Sequence, residues 1–398
     1  MAKRESTVTF STERHTRDLE SMRSAREEVS ARGKRTVAKT GKLHPYVDVK
    51  KRIKRSRNSI VETDGKLTMV NGPALPLVSA FDGTASMGEN IGRFYRALVP
   101  FYELTAPIRE LYDVQMSAMM FQDKDDTLPN GDISAIQQSE FESGNRIAEQ
   151  IREIVYANNG ADSTEEYQFA LLQAAFNDLD INRYGLKGYL FVGGDEIGRD
   201  GNTPDEVMYH LGRKTQGYLT IKQMYEAAAL KYHVYRIQCG GGGEGAHRNR
   251  YTDWWEEVMG KGHVVVVSDV SLLAEVQAAL VWCGETPNPT EAGLIEFIVN
   301  GTKGNVHRTA ADARKIWRWI MDAGVELGVQ TKLPGWGKLP KKGDVFEHYR
   351  HLWPVGHERA AENTVPSEEA EPELVIPEGI GRPARRKPAS SKTDWSKF

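Results

Sequence analysis

The run Leu77-Val78-Ser79-Ala80-Phe81-Asp82-Gly83-Thr84-Ala85-Ser86-Met87-Gly88 constrains this chain more than any other stretch. Leu77 to Phe81 are apolar or small, which suits a strand buried on both faces in a parallel sheet. The polar residues after it alternate, so Asp82, Thr84 and Ser86 put one carboxylate and two hydroxyls just past the strand's carboxyl end. In open α/β sheets that end is where ligands bind. Three hard oxygen donors suit Mg²⁺ or Mn²⁺ rather than zinc. The same residue types also make turns and helix caps with no metal at all, so this stretch leaves both readings open.

The design recurs down the chain. Val114–Phe121 reads as a second strand, closed by Gln-Asp-Lys-Asp-Asp, and Ile133–Phe141 as a third, more polar one at an edge. Lys187–Glu196 repeats the opening pattern, with apolar residues, then glycines, then Asp195 at the carboxyl end. Tyr232–Cys239 and His263–Val267 read as two more strands. Between or after them lie helical stretches at 88–102, 165–176, 220–231, 251–259 and 270–282. This β-α-β alternation predicts an α/β fold: a doubly wound, mostly parallel sheet with helices on both faces. Ile60–Val70, with Thr-Asp-Gly-Lys at its middle, reads as an edge strand or small hairpin.

Charge and composition set the flanks. The first 57 residues carry 17 Lys or Arg against seven Asp or Glu, whereas the whole chain of 398 residues has a net charge of -3. The expected organisation is a basic, flexible N-terminal arm over 1–57 and a sheet domain over 58–284. A helical and loop-rich extension follows over 285–357, and a disordered tail of Ala, Glu, Pro, Ser, Lys and Arg over 358–398. An arm with few apolar groups is expected to be removable with little loss of stability. Its densest basic run, with Lys50, Lys51, Arg52, Lys54, Arg55 and Arg57, is a candidate contact for nucleic acid or an acidic partner. The alternative is a solvated arm, favoured by the lack of interleaved aromatic residues for base stacking. The two cysteines, Cys239 and Cys283, exclude a disulfide framework and a Cys-based zinc site, and fit a reducing cytosol. No apolar run approaches the ~20 residues of a membrane span, and the N-terminus lacks a secretory apolar core. The expected location is therefore cytoplasmic, either the host cytoplasm or, for a phage-encoded chain, the virion.

Three segments now stand in order: Asp82-x-Thr84-x-Ser86, then Ser163-Thr164, then Asp195. Their order and spacing resemble the von Willebrand factor A domain with its metal-ion-dependent adhesion site. The resemblance covers about residues 75–284. In detail it is most similar to a group of bacterial and phage proteins of that family, through Phe81–Gly88, Glu140-Phe141-Glu142-Ser143 and Glu165-Glu166-Tyr167-Gln168-Phe169-Ala170-Leu171. The resemblance implies that Thr84 and Ser86 bind Mg²⁺ or Mn²⁺ through their hydroxyls. It also implies that Asp82 and Asp195 act mostly through bound waters, and that Thr164 completes the set. Ser163 competes with Thr164, since Ser163 and Glu166 have the spacing of a capping box, and Asp162 is a further alternative.

The function this implies is an expectation by analogy of fold. It is a non-catalytic, metal-dependent interaction module whose partner protein donates an Asp or Glu to the cation. The alternatives are an adaptor for an AAA+ ATPase of the MoxR or chelatase type, supplied by another chain, and a nucleic-acid protein using the basic arm. Other signals carry less. Cys239-Gly240-Gly241-Gly242-Gly243-Glu244-Gly245 lacks the Gly-Lys-Ser/Thr of a phosphate loop. His348, His351 and His357 cluster without a cysteine and read as loop histidines rather than ligands. Ser86 and Ser163 lack the setting of a hydrolase nucleophile.

Overall fold

The computed structural model describes residues 31–128, 130–144, 146–156, 164–240, 245–302 and 307–346. Asp162, Ser163, residues 1–30, the histidines at 348, 351 and 357 and the tail over 358–398 lie outside them.

The described chain is a mixed α/β structure. It opens with helix α1 (Ala31–Thr40) and a hairpin of β1 (Ile60–Thr63) and β2 (Lys66–Met69). The first half of the sheet region comes next: β3 (Ala74–Asp82), α2 (Asn90–Leu104), β4 (Asp113–Phe121), β5 (Ile136–Gln138), α3 (Arg146–Ile151) and α4 (Tyr167–Phe176). The second half comprises β6 (Gly188–Gly194), α5 (Pro204–Leu211), α6 (Ile221–Ala229), β7 (Tyr232–Gln238), α7 (Arg250–Met259), β8 (Val264–Val266) and α8 (Leu273–Glu285). Helices α9 (Glu291–Gly301) and α10 (Ala310–Asp322) pack after them. Six strands form the central sheet in the order β8-β7-β6-β3-β4-β5, all parallel except β5, which runs antiparallel to β4.

Every residue of β3, β4 and β6 is buried, as expected for inner parallel strands covered on both faces. Pro76 lies in β3 but outside its pairing with β6, which begins at Leu77 opposite Tyr189. Alternate residues meet different helices. Phe81 packs on Phe94 and Tyr95 of α2, Phe191 on Phe101 of α2, and Ser79 accepts a hydrogen bond from Gln277 of α8. Phe121 and Asp82 instead meet Tyr167 of α4. Side-chain caps fix several helix starts: Thr203 with Glu206, Thr220 with Gln223, Asn249 with Thr252 and Thr309 with Asp312 each form a capping box. Helix α4 starts at Tyr167 with Glu166 as its N-cap residue, two residues later than the sequence pattern suggests. Among the described residues, no helix is long and apolar enough to cross a membrane, and Cys239 and Cys283 are buried free thiols.

The described part of the basic segment, residues 31–57, departs from the expectation of a free arm. Val47 and Val49 belong to the main core, as do Leu294, Ile298, Ile316 and Ile320 of α9 and α10. One core therefore runs through both 57/58 and 284/285. Lys54 is fully buried, and its Nζ donates to Glu140 Oε1 and Tyr46 O, both at 2.8 Å. Arg52 Nε lies 2.8 Å from the same Glu140 oxygen. Arg57 pairs with Asp178 and Asp180, Arg55 Nε lies 3.9 Å from Asp178, and Lys50 sits 4.8 Å over the Tyr209 ring. The carboxylates paired with Lys54 and Arg57 lie 86 and 121 to 123 residues away in sequence, which is why this part of the run reads as solvated when only its neighbours are considered; Lys50 and Lys51 are exposed.

Candidate metal centre

Strand β3 delivers Asp82 to the top of the sheet, where its carboxylate is fully buried. The chain then turns back through Gly83, whose amide donates to Phe121 O at 2.8 Å. Asp82 Oδ1 accepts from the Thr84 amide at 2.8 Å and from Thr84 Oγ1 at 2.7 Å. Thr84 Oγ1 and Ser86 Oγ are 3.1 Å apart. Ser86 Oγ donates to Asp195 Oδ1 at 3.1 Å. Asp82, Thr84, Ser86 and Asp195 therefore form one row of oxygens, each within hydrogen-bonding distance of the next. It spans the carboxyl ends of β3 and β6, which are neighbours in the sheet.

The third predicted segment arrives beside them. Thr164 and Glu165 pair in parallel with Ile197 and Gly198, just after Asp195. Thr164 is half-buried and Glu165 buried. Asp162 and Ser163 fall outside the described residues, so of the three candidates only Thr164 is placed.

The electrostatics are strongly negative. Burial and then Asp195 push the Asp82 pKa upward, against the hydrogen bonds from Thr84 and Tyr167. Burial raises the Asp195 pKa, opposed by the Ser86 hydroxyl and by Arg236. Burial, Asp82 and Asp123 do the same to Glu165. Buried carboxylates at close quarters disfavour shared ionisation, and a divalent cation is one way to relieve that. No group of three or more His, Cys, Asp or Glu among the described residues has metal-holding geometry. The donor set here is different: two hydroxyls and two carboxylates, with a cavity reaching the row at Asp195. It fits Mg²⁺ or Mn²⁺, which keep several waters and need few protein ligands. A cavity of about 310 Å³ opens beside Asp195, with Glu196, Cys239, His247, Asn249 and Tyr251 among its lining.

Three residues without a sequence-level role converge on this place: Tyr167, Arg236 and Trp255. Tyr167 lies in the Glu165–Leu171 segment that helps carry the family resemblance, but nothing in its spacing marks the hydroxyl as part of a site. The glycine-rich loop contributes at its first residue, where Gly240 O accepts from Asn90 Nδ2 at 2.7 Å; residues 241–244 lie outside the described residues.

No family model matches the chain, and no curated protein matches it. Among solved structures, two crystal structures of the pilus adhesin SpaC from Lactobacillus rhamnosus GG align with it, one of them in an open conformation. Identity is 13% and 14%, coverage is 67% of this chain and 34% and 33% of theirs, and the TM-score is 0.27 for both. The chain thus spans about a third of the adhesin's length, and a likeness that weak carries no argument.

Proposed function

We propose that this chain is a doubly wound, von Willebrand factor A-like protein whose metal centre captures an acidic side chain of another protein, without catalysis. The observation that carries the reading is the row of oxygens Asp82–Thr84–Ser86–Asp195. It lies between β3 and β6, where the strand order reverses: from β3 the chain runs out one way through β4 and β5, then returns to the other side through β6, β7 and β8. Such a switch point is where open α/β sheets bind ligands. In this reading Thr84 and Ser86 hold the cation through their hydroxyls, Asp82 and Asp195 act through water, and Thr164 completes the set. When bound, the cation would supply an electrophilic position open to a partner's carboxylate.

The test is cation binding by the full chain, followed by partner binding. Calorimetry should show one Mn²⁺ or Mg²⁺ site in the wild type and none in Thr84→Ala, with Thr84→Ser retaining it. Partner capture should then need the cation, stop in EDTA and stop in Asp195→Ala. Capture that persists in EDTA overturns the reading. Of the residues that would serve the nucleic-acid alternative, Lys54 and Arg57 are engaged by Glu140, Asp178 and Asp180 of this chain, whereas Lys50, Lys51, Arg52 and Arg55 remain exposed.

A further inference from the structure

The backbone of Glu196, the residue after Asp195, is gripped on both its amide and its carbonyl by three side chains from three separate elements. The Glu196 amide donates to Tyr167 Oη at 3.2 Å. Its carbonyl accepts from Arg236 Nη2 at 3.1 Å and from Trp255 Nε1 at 2.9 Å. Tyr167 belongs to α4, Arg236 to β7 and Trp255 to α7. The Tyr167 hydroxyl also donates to Asp82 Oδ2 at 3.1 Å, so one phenol ties the end of β3 to the turn after β6.

The grip is itself held in place. The Arg236 guanidinium is fully buried and lies 4.3 Å from the Tyr167 ring centroid and 5.0 Å from that of Trp255. The two rings meet edge to face at 5.2 Å. Arg236 also donates to Val192 O and Ile237 O, at 3.0 and 3.3 Å. A Cβ on Gly194 would come within 2.1 Å of the Tyr167 hydroxyl, so the hydroxyl reaches the turn only because residue 194 has no side chain. Burying a guanidinium is costly, and a hydrophobic residue of similar volume often serves stability as well. A buried arginine spent on one turn therefore points to a requirement for geometry there.

We propose that Tyr167 and Arg236 are positioning residues of the metal centre. Tyr167 sets the separation of Asp82 and Asp195 through its two hydrogen bonds, and Arg236 locks both the tyrosine ring and the Glu196 carbonyl. The inference rests on the proposed metal site and deepens it. It accords with the general behaviour of metal sites, in which the groups that orient the ligands matter almost as much as the ligands.

The test uses the full chain. Tyr167→Phe keeps the ring against Arg236 and Trp255 and removes only the hydroxyl. Tyr232→Phe is the control: it also removes a buried hydroxyl, one that accepts from Asn177 Nδ2 at 3.0 Å near the opposite end of the sheet. Arg236→Lys keeps the charge but loses the planar fork. In the cation-free protein, Tyr167→Phe should speed hydrogen exchange at the Glu196 amide by about tenfold or more, and it should lower Mn²⁺ affinity by about 10- to 100-fold. Arg236→Lys should lower Mn²⁺ affinity as well, whereas Tyr232→Phe should change neither reading. Wild-type exchange at Glu196 in Tyr167→Phe, or wild-type Mn²⁺ affinity in both site variants, overturns the proposal. If the wild type binds no Mn²⁺, the metal reading itself is overturned. That outcome is distinguishable from failure of the clamp, because the exchange comparison needs no cation.

Discussion

Replacing Lys54 by Met tests whether the basic segment is part of the fold. Lys54 is fully buried, and its ammonium makes two charge-assisted hydrogen bonds, to Glu140 Oε1 and Tyr46 O. Burial draws the Lys54 pKa down and Glu140 opposes that shift. Met preserves the aliphatic stem and leaves Glu140 and the Tyr46 carbonyl without their shared donor. Breaking a buried pair costs about 3–5 kcal/mol. Glu140 keeps Arg52 and a partly solvated edge, so the lower end, about 3 kcal/mol, applies. At about 2–4 °C per kcal/mol for a domain this large, the melting temperature should fall by about 6–12 °C. Because the Lys54 end of the pair is fully buried, raising the salt from about 50 to about 500 mM should change that loss little. The double variant Lys54→Met/Glu140→Gln should recover part of it, since no buried carboxylate is then left short of a partner. Differential scanning calorimetry of the three proteins reads all of this. A fall of less than about 2 °C, the scale of an ordinary surface substitution, would mean that Lys54 adds nothing to the fold and that the segment behaves as a free arm.

Gly194→Ala should destabilise the protein by about 1–3 kcal/mol, the usual cost of overpacking, because its Cβ would meet the Tyr167 hydroxyl at 2.1 Å; chemical denaturation measures it, and an unchanged midpoint contradicts the contact. Glu285, buried between the hydroxyls of Tyr112 and Tyr189, has its pKa pushed up to about 7 by burial. The folded state therefore holds this proton more tightly than the unfolded one, so its contribution is full below the unfolded pKa and is lost as pH rises toward 7. Glu285→Gln should flatten the decline in stability between about pH 4.5 and 7 by up to about 3 kcal/mol; melts across that range showing the wild-type slope would contradict it. Arg57→Met should destabilise by about 1–3 kcal/mol, because the fully buried Asp180 loses its nearer cation and keeps Arg183, at 3.5 Å, and the Asn58 amide, and a loss under about 0.5 kcal/mol in urea titrations would contradict the pairing.

Much of the fold can be read along the chain because each local signal matches its final environment. The continuous apolar runs at Leu77–Phe81 and Val114–Phe121 announce strands covered on both faces, and both lie within inner strands that are wholly buried. Thr-Asp-Gly-Lys between Ile60 and Val70 announces the hairpin, where Asp64 and Gly65 both take positive φ. The edge strand expected over 133–141 shrinks to Ile136–Gln138; Ala135, Ser139 and Glu142 still bond the backbone of the neighbouring strand, but Glu140 N turns to Gln150 Oε1 and interrupts the ladder. The row from Asp82 to Ser86 is legible because alternation puts its donors together, and Asp195 because it ends an apolar strand. What stays hidden is long-range. Lys54 looks solvated until Glu140 appears beside it, and Tyr167, Arg236 and Trp255 look like ordinary core residues until three elements bring them to one peptide.

Whether Thr84, Ser86, Asp82 and Asp195 form a cation site is read most directly by a Mn²⁺ titration of the full chain, by calorimetry or electron paramagnetic resonance. A single site is expected in the wild type, with retention in Thr84→Ser and loss in Thr84→Ala and Asp82→Ala at temperatures where all four proteins remain folded. Equal Mn²⁺ binding by the wild type and Asp82→Ala, or none by the folded wild type, would contradict it.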